Sequence, residues 1–386
     1  MEIETKYGIV KIFADTIDNE TISQVIQMAN SPLGENANIR IMPDCHAGAG
    51  CVIGTTMTIK DKICPNLVGV DIGCGVTLVK TDIEFEKHLE KLDEIIRRCI
   101  PYGMDIHKSV KKWNFEELLC WDKLTEKTQN WAMLSLGTLG GGNHFIEAYK
   151  DGYLSVHSGS RNIGYMVAEY YQDLASKTLI EKLTNERKKL LQEVEPKDRE
   201  KWLREHQIAI NKDLCYLENE NMKDYLHDIK IMQKFANDNR HKILEVIVKG
   251  LGGKILEEIN SIHNYIDVEN MILRKGAISA QKGEKLVIPL NMKDGMLVCI
   301  GKGNKDWNFS APHGAGRLYS RGKAKEIFTV DEYEKSMKGI YTTCVSSSTL
   351  DEAPFVYKDY QEIMNCIEPT VEIKDRYIPI YNFKAN

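Results

Sequence analysis

The chain has 386 residues, a formal net charge of −5 and 42% hydrophobic residues, which is ordinary for a globular protein. This charge argues against a protein that coats nucleic acid through bulk positive charge, although it permits a locally basic groove. The N-terminal residues show no basic segment followed by an apolar run, and no stretch approaches the roughly 20 apolar residues of a membrane span. We therefore expect a cytoplasmic protein without a membrane partner.

The cysteines are spaced irregularly, and none forms a Cys-x-x-Cys pair. Without an export signal they should be reduced, and a structural zinc knuckle is not indicated. Cys120 and Cys299 lie among apolar neighbours and are expected to be buried small hydrophobes. Cys74 differs from them because it lies in a glycine-rich turn.

In the N-terminal part of the chain, β-branched alternation predicts two strands, at 7–13 and 51–60. Apolar residues at helical spacing predict an amphipathic helix over 84–98. Two short strands follow, at 145–149 and 153–157.

Glycine and proline almost vanish between residues 165 and 251, and the composition there predicts two or three helices. Pro196 predicts a break near 193–198, because proline lacks the N–H that a helix interior needs. The charged run at 181–189 is expected to be a solvated helix surface, with RNA contact as the alternative.

After residue 251 the chain returns to short strands and glycine turns, with strands predicted at 278–280, 285–290 and 296–300 and an extended tail at 376–381. We find no internal repeat and no low-complexity linker. Strand-rich segments flanking helices indicate an α+β fold. The prediction is one domain over 1–386, with a helical insertion at about 165–251 and a strand-rich core around a metal-binding cleft.

Five potential metal ligands lie in or beside short glycine-, serine- or asparagine-containing segments: Asp71, Cys74, His144, His157 and His263. A thiolate with imidazoles favours Zn, Mn, Fe or Co over Mg or Ca. Each histidine taken alone could be structural, but their shared setting favours a joint site. Five ligands exceed the usual set of one catalytic zinc, so two ions with a bridging ligand fit better and suit phosphoryl chemistry.

His313 lies in the segment Pro312-His313-Gly314-Ala315-Gly316-Arg317. Small residues let a phosphate approach the imidazole, and an arginine can hold phosphate oxygens bidentately. This arrangement suits a histidine nucleophile that forms a phosphoramidate. A turn with a structural histidine is the alternative interpretation.

Two glycine loops, at 139–143 and 301–304, offer backbone N–H groups for an anion. Neither is a Walker A motif, and no dinucleotide-binding glycine fingerprint follows a plausible strand. Plain tight turns are the alternative for both loops.

Taken together and in order, these segments resemble the RtcB family of RNA 3′-phosphate ligases. The resemblance runs from about residue 42 to Lys384 and rests on the stretches Met42–Gly48, Val68–Gly75, Gly137–Glu147, Val156–Arg161, His263–Tyr265, Gly301–Asn304, Ser310–Arg321, Asp351–Pro354 and Tyr357–Asp359.

The resemblance implies an α+β ligase that uses two Mn²⁺ ions and GTP. Cys74 would bridge the ions, with Asp71 and His144 completing one site and His157 and His263 the other. His313 would attack the α-phosphate of GTP and carry GMP.

The resemblance also implies contacts to the substrates. Phosphate or RNA contacts are expected from Asp44, Asn143, Arg161 and Arg317. The nucleotide would be held by Asn143, Phe145, Glu147, Gly314, Ala315, Gly316, Tyr357 and Lys384.

The implied reaction joins an RNA 3′-phosphate, or a 2′,3′-cyclic phosphate after its hydrolysis, to a 5′-hydroxyl through an RNA–ppG intermediate, in tRNA splicing or RNA repair. We expect a monomer, and an archease-type activator is a candidate partner. The competing hypotheses are a metal-dependent phosphoesterase that opens cyclic phosphates without ligation, and a non-catalytic RNA-binding or metal-storage protein. One departure affects nucleotide affinity and the preference for GTP: Leu290 and Asn291 replace a glycine and a serine of the family pattern.

Overall fold

The computed structural model describes residues 1–48 and 50–385 and shows the predicted α+β fold. Two six-stranded sheets, one three-stranded sheet and one two-stranded sheet are present in the described residues. Strands and helices alternate irregularly along the chain, so the fold is not a repeated β-α-β arrangement.

The first six-stranded sheet has the order β1-β2-β3-β4-β10-β9. Its strands are antiparallel neighbours except for the parallel pair β2 and β3. The strand bounds are β1 Glu2–Thr5, β2 Gly8–Ile12, β3 Ile39–His46, β4 Ile53–Thr58, β9 Asn264–Asp267 and β10 Ile272–Lys275.

The second six-stranded sheet has the order β15-β17-β6-β7-β5-β8, with β15 and β17 parallel and the other pairs antiparallel. Its strands are β5 Gly75–Thr81, β6 Phe145–Tyr149, β7 Tyr153–Ser158, β8 Ile255–Ile262, β15 Tyr341–Thr342 and β17 Pro379–Lys384. The three-stranded sheet comprises β12 Lys285–Asn291, β13 Gly295–Gly301 and β16 Val371–Tyr377, and the two-stranded sheet comprises β11 Ala277–Ser279 and β14 Ser310–Pro312.

The described residues also contain α-helices at α1 Asn19–Asn30, α2 Leu89–Cys99, α3 Glu126–Met133, α4 Arg161–Gln192, α5 Arg199–Glu205, α6 Asn219–Leu251, α7 Arg321–Ile327, α8 Val330–Ser336 and α9 Tyr360–Ile367. None of these helices combines the length and apolar character needed to cross a membrane.

Helix α6 buries an apolar stripe at helical spacing that includes Met222, Ile229, Met232 and Ile243. It ends at Gly252, which adopts the left-handed conformation (φ 83°) that favours glycine at a helix C-terminus. This long, buried helix packs directly against strand β7. It therefore supports the strands that carry the candidate site.

Helix α4 buries residues only in its first half, from Ile163 to Ala175. The charged run at 181–189 is mostly exposed, as predicted for a solvated helix surface. The helix ends at Gln192, and Pro196 opens a short helical turn before α5, so the predicted break is confirmed. Whether residues 1–386 act as one domain stays a prediction.

The observed elements refine the predicted bounds. The helix predicted at 84–98 is a short helical turn at Phe85–Lys87 followed by α2, because His88 leaves helical geometry (φ −135°, ψ 18°). The tail predicted as extended forms the end of β16 and the start of β17. Cys120 and Cys299 are buried, and the cysteines are free thiols, as predicted.

The second six-stranded sheet and the three-stranded sheet pack face to face through apolar side chains. Val76, Leu78 and Tyr149 on one sheet share a core with Val287 and Met296 on the other. This shared apolar core packs the two sheets together next to the strand ends.

Candidate active site

Four of the predicted metal ligands lie at one end of the second six-stranded sheet: Cys74 before β5, His144 before β6, His157 in β7 and His263 after β8. Strand β5 pairs with β7 on one side and β8 on the other, and β7 also pairs with β6. The sheet register therefore brings residues that are far apart in sequence to adjacent positions.

The ligand atoms converge closely. Sγ of Cys74 lies 3.4 Å from Nε2 of His144 and 3.3 Å from Nε2 of His157. Nε2 of His157 lies 3.0 Å from Nε2 of His263, and Oδ2 of Asp71 lies 3.1 Å from Nε2 of His144. Cys74, His144 and His157 are buried and close enough to share one metal ion. The structure thus brings all five predicted ligands into one cluster.

Backbone carbonyls select the tautomers of two histidines. Nδ1 of His144 donates to the carbonyl of Leu139 at 2.7 Å, and Nδ1 of His157 donates to the carbonyl of Asn143 at 3.1 Å. In the tautomer with its proton on Nδ1, each ring presents the lone pair of Nε2 to the cluster, which is the usual arrangement for metal-binding histidines. His263 has no such bond, and its Nδ1 is buried without a partner in the described residues.

Burial and neighbouring groups shift the pKa values of several cluster residues. Burial lowers the pKa of His157 and His263 well below the usual range, so both rings are neutral. Burial alone would raise the pKa of Asp71, but contact with His144 lowers it to about 2. Burial and Asp71 together raise the pKa of the Cys74 thiol well above its usual value. A bound divalent cation would reverse this last effect, because a coordinated thiol is deprotonated.

The carboxylate of Asp71 is held by the turn before α4. Ser160 donates its backbone N–H to Oδ1 of Asp71 at 3.0 Å. A Cβ at Gly159 would lie 2.1 Å from the same oxygen, so only glycine permits this approach.

Two adjacent residues of α6, Asn239 and Arg240, hold the ligand-bearing loops together. Nη1 of Arg240 donates to the carbonyl of Gly73 at 2.7 Å and to that of Ser158 at 2.9 Å. The side-chain oxygen of Asn239 accepts the N–H of Gly137 at 2.7 Å. Both side chains are fully buried. Neither Asn239 nor Arg240 was predicted as a site residue, because both lie in a helix far from any glycine motif.

His313 lies beside the metal-ligand cluster, with its ring centroid 4.8 Å from that of His263. Its Nδ1 atom lies 2.6 Å from Oδ2 of Asp44, and its backbone N–H donates to the same oxygen at 3.2 Å. The Asp44 carboxylate is fully buried, whereas the imidazole is 18% exposed. The short contact with Nδ1 lacks hydrogen-bond geometry, and Nδ1 has no hydrogen-bond partner in the described residues. With the carboxylate on the Nδ1 side, Nε2 is available, as a histidine nucleophile requires.

A cleft of about 670 Å³ is lined by His313 and by three of the five cluster residues, while Cys74 and His144 are not among its lining residues. The cleft is lined by the following predicted site residues: Asp71, Asn143, Phe145, Glu147, His157, His263, His313, Gly314, Ala315, Gly316, Arg317, Tyr357 and Lys384. Gly316 has a positive φ of 76°, and a Cβ there would lie 2.8 Å from the carbonyl oxygen of Asp44. Glycine at position 316 therefore allows the segment after His313 to pack closely against the backbone of Asp44.

One wall of the cleft is cationic and is organised by the buried carboxylate of Glu352. Nη1 of Arg317 and Nη1 of Arg321 donate to its Oε1 at 3.1 and 2.6 Å. The hydroxyl of Tyr357 donates to Oε2 at 2.6 Å, and Nζ of Lys384 lies 3.0 Å from the same oxygen. Arg317, Tyr357 and Lys384 were predicted site residues, whereas no role was predicted for Glu352 or Arg321.

Glu147 also lines the cleft, but both carboxylate oxygens already accept hydrogen bonds. The hydroxyl of Tyr149 donates at 2.6 Å and Nδ2 of Asn382 at 2.7 Å. Burial raises the pKa of Glu147 to about 7 despite these bonds and the nearby Lys384.

The remaining predicted phosphate contacts differ in position. Nε of Arg161 donates to Thr138 at 3.2 Å, and its guanidinium occupies the space where a Cβ on Gly140 would lie. Burial lowers the pKa of Arg161, although Asp71 opposes this shift. Asp44 faces His313 and is not an open anion site.

The two departures from the family pattern have clear structural roles. Leu290 is buried and packs with Ala311 and Ala315 while also lining the cleft. Asn291 accepts the backbone N–H groups of Lys293 and Asp294 at 3.0 and 2.9 Å, which stabilises the turn into β13. The expected effect of these residues on nucleotide affinity stays a prediction.

Comparison with known proteins gives one consistent result. The sequence profile of the family described as tRNA-splicing ligase RtcB matches residues 24–134 and 120–385. The RNA-splicing ligase RtcB of Escherichia coli strain K12 is 31% identical over 404 aligned positions, covering 92% of this chain and 92% of that protein.

Archaeal proteins are more distant relatives. The tRNA-splicing ligase RtcB of Aeropyrum pernix is 26% identical and covers 84% of this chain and 82% of its own length. The tRNA-splicing ligase RtcB of Methanococcus maripaludis is 23% identical, with 94% and 91% covered. In each comparison the similarity therefore spans most of this chain and most of the relative.

Proposed function

This chain belongs to the RtcB family, and from that premise we propose that it is a GTP- and Mn²⁺-dependent RNA ligase. Its substrates are RNA with a 3′-phosphate or 2′,3′-cyclic phosphate end and RNA with a 5′-hydroxyl end. The observation that carries the proposal is His313, which lines one cleft with the cluster residues Asp71, His157 and His263 and lies 2.6 Å from the buried Asp44 carboxylate.

The donor set of the cluster fits divalent transition-metal ions. Neighbouring ligand atoms of the thiol, the imidazoles and the carboxylate lie 3.0–3.4 Å apart, and backbone bonds keep two imidazole lone pairs facing inwards. Two ions would be held by these residues: Cys74 would be a ligand of both, Asp71 and His144 would complete one site, and His157 and His263 would complete the other. Bound ions would neutralise phosphate charge and stabilise phosphoryl transfer.

We assign the nucleophile to Nε2 of His313. Asp44 lies on the Nδ1 side, so Nε2 is free to form a bond with the α-phosphorus of GTP while the bond from that phosphorus to the β-phosphate oxygen breaks. Pyrophosphate leaves and GMP stays on the ring. Asp44 is assigned here to positioning and not to phosphate contact, because a fully buried carboxylate would repel a phosphate.

Two transfers complete the reaction. An oxygen of the RNA 3′-phosphate attacks the phosphorus on His313, which releases the ring and forms RNA–ppG. The 5′-hydroxyl then attacks the RNA phosphate, releases GMP and forms the phosphodiester. A 2′,3′-cyclic phosphate is first opened by water to give the 3′-phosphate.

The nucleotide is proposed to lie in the part of the cleft bounded by Asn143, Phe145, Tyr357 and Lys384, beside the small residues 314–316. The aromatic rings offer stacking surfaces, and the cationic wall complements a triphosphate. This position also places the α-phosphate within reach of His313.

The test is covalent labelling. The protein is loaded with Mn²⁺, incubated with GTP labelled at the α-phosphate, denatured and examined for acid-labile label. We expect label on the wild type and on a His206→Ala control, since His206 lies on the exposed end of α5, and none on His313→Ala.

A ligation assay with matched RNA ends follows, with and without an archease-type activator. The competing phosphoesterase hypothesis needs the metal ligands but not His313 or Lys384. That hypothesis would be supported over ours if the wild type never ligates and the His313→Ala variant opens cyclic phosphates with the same products as the wild type.

A further inference from the structure

Four side chains that line the cleft meet at a carboxylate that does not itself line the cleft. Arg317, Arg321, Tyr357 and Lys384 belong to the cleft wall, and all four contact Glu352. Glu352 is 2% exposed and lies behind them in the short helical turn Leu350–Glu352.

The contacts join segments that are distant in sequence. Lys384 is the last residue of β17, Arg321 is the first residue of α7, and Arg317 follows His313 by four positions. A single carboxylate thus connects the C-terminal strand, the loop of the nucleophile and a helix N-terminus. Any shift of Glu352 would move all of these wall residues together.

The two arginines of this wall use their guanidinium groups differently. Nε, Nη1 and Nη2 of Arg317 donate to the carbonyl of Tyr319, to Glu352 and to the carbonyl of Asp351, respectively. The contacts of Arg321 within residues 1–48 and 50–385 all run through Nη1, to Asp351 and Glu352 at 2.6 Å each. Nε and Nη2 of Arg321 therefore remain available, and its side chain is 47% exposed.

The charges in this wall do not cancel. Arg317, Arg321 and Lys384 contact Glu352, while the second carboxylate, Asp351, pairs with Arg321 and with Lys325. Burial alone would raise the pKa of Glu352, but the surrounding cations lower it to about 2, so the group is ionised at neutral pH. The wall retains surplus positive charge, as an anion site requires.

Cations held this close together repel one another unless a buried anion lies between them. Their orientation before the nucleotide arrives therefore depends on Glu352. Such preorganisation lowers the cost of binding, since no side chain has to be ordered when the ligand enters.

We propose that Glu352 is a positioning residue for the nucleotide: it holds Tyr357 and Lys384 in place and turns the free edge of Arg321 towards the phosphates. Arg317 is then part of the support and not a direct phosphate ligand. This inference rests on the proposed function and adds residues that the sequence motifs did not assign.

The test uses full-length, Mn²⁺-loaded protein and compares Glu352→Gln and Glu352→Asp with the wild type. Guanylylation of His313 is followed at varied GTP concentration, and binding of GTP is measured by calorimetry. Asp93→Asn is the matched control, because Asp93 is a buried carboxylate bonded to Arg97 and Tyr381 outside the cleft. Melting temperature and metal content are recorded for each variant.

We expect Glu352→Gln to raise the KM for GTP about tenfold or more, the equivalent of one charge-assisted contact, with a smaller change in the rate at saturating GTP. Glu352→Asp keeps the charge and should recover part of the affinity. A purely structural role would lower the active fraction and leave KM unchanged, as expected for Asp93→Asn. An unchanged KM in both Glu352 variants would overturn the inference.

A direct test of the free guanidinium edge is Arg321→Lys. Lysine keeps the positive charge but lacks the Nε and Nη2 donors of the guanidinium group. The affinity for GTP should therefore fall even though the wall stays cationic. Unchanged affinity for this variant would overturn the assignment of Arg321. If wild-type protein itself neither binds GTP nor becomes labelled, the proposed function fails, and that outcome is distinct from failure of the Glu352 inference alone.

Discussion

Asp44 and His313 form a pair in which one carboxylate oxygen, Oδ2, contacts both the ring and the backbone of the histidine. The distances are 2.6 Å to Nδ1 and 3.2 Å to the backbone nitrogen. The backbone contact is a hydrogen bond that holds the loop, whereas the contact with Nδ1 is close but lacks hydrogen-bond geometry. The other oxygen, Oδ1, is buried without a partner in the described residues.

We expect Asp44→Asn to slow guanylylation of His313 by a factor on the order of 10², the lower end of the range for positioned acid–base groups. The amide keeps the shape of the side chain but can present a donor to Nδ1, which selects the wrong tautomer. The single-turnover rate of labelling measures this effect. Asp228→Asn, at a buried carboxylate that bonds Tyr171 away from the cleft, should label at the wild-type rate. Equal rates for Asp44→Asn and wild type would contradict the assignment.

Removing the thiol of Cys74 should abolish most metal binding. Cys74 contacts His144 and His157 and is the proposed bridge. Cys74→Ser is therefore expected to weaken Mn²⁺ binding by about 100-fold or more, because the loss of a residue that only supports a ligand already lowers metal affinity by about 10- to 100-fold. Metal content after gel filtration and titration with Mn²⁺ give the measurement. Cys64→Ser is the matched control, because Cys64 is equally buried but contacts Gln172 and Asp213. Retention of two ions by Cys74→Ser would refute the bridging role.

The buried guanidinium of Arg240 should be important for stability as well as for the site. Arg240→Met leaves the carbonyls of Gly73 and Ser158 without their donor, and each buried polar group left unsatisfied costs about 1–3 kcal/mol. Urea unfolding should show this loss, together with weaker Mn²⁺ binding. Arg98→Met removes an exposed pair with Glu94 and should change stability by less than about 1 kcal/mol. A similar small loss for Arg240→Met would mean that α6 does not hold the loops.

The raised pKa of Glu147 predicts a pH-dependent stability. The unfolded group titrates near its ordinary value of 4.5 and the folded group near 7, so the folded state binds more protons between these values. Stability therefore falls as pH rises through this window and stays level above it. The contribution is at most about 3 kcal/mol, from the size of the shift.

Glu147→Gln removes this titration. We expect the unfolding free energy of the variant relative to wild type to rise between pH 5 and pH 8, whatever constant offset the lost hydrogen bond to Tyr149 or Asn382 adds. Urea unfolding at four pH values tests the slope. Glu334→Gln, at an exposed position on α8, should show no such slope, and a flat difference for Glu147→Gln would contradict the raised pKa.

Much of the candidate site was predictable because glycine-rich motifs mark places where backbone must approach a ligand. The segments around Cys74, His144 and His313 carry their chemistry in a few adjacent residues, so they could be read without a structure. The helices at 161–251 were also predictable, since composition and Pro196 report local backbone preference.

Residues that act from behind the cleft could not be predicted in the same way. Asn239 and Arg240 lie outside the motifs, and Glu352 lies in a motif stretch without an assigned role. Their roles depend on contacts with segments far away in sequence. Asp44 was singled out by its motif, yet its sequence neighbours gave no indication that the carboxylate faces His313, 269 residues further along the chain.

The sequence alone determined the kind of chemistry, because residue types and short spacing decide which groups can bind a metal or attack a phosphate. The tertiary structure decided how these groups are held. The sheet register brings the ligand loops together. The charged side chains of Arg240 and Glu352 are buried in a medium of low dielectric constant, where a charge without partners is costly, so their contacts depend on which groups the fold brings close to them.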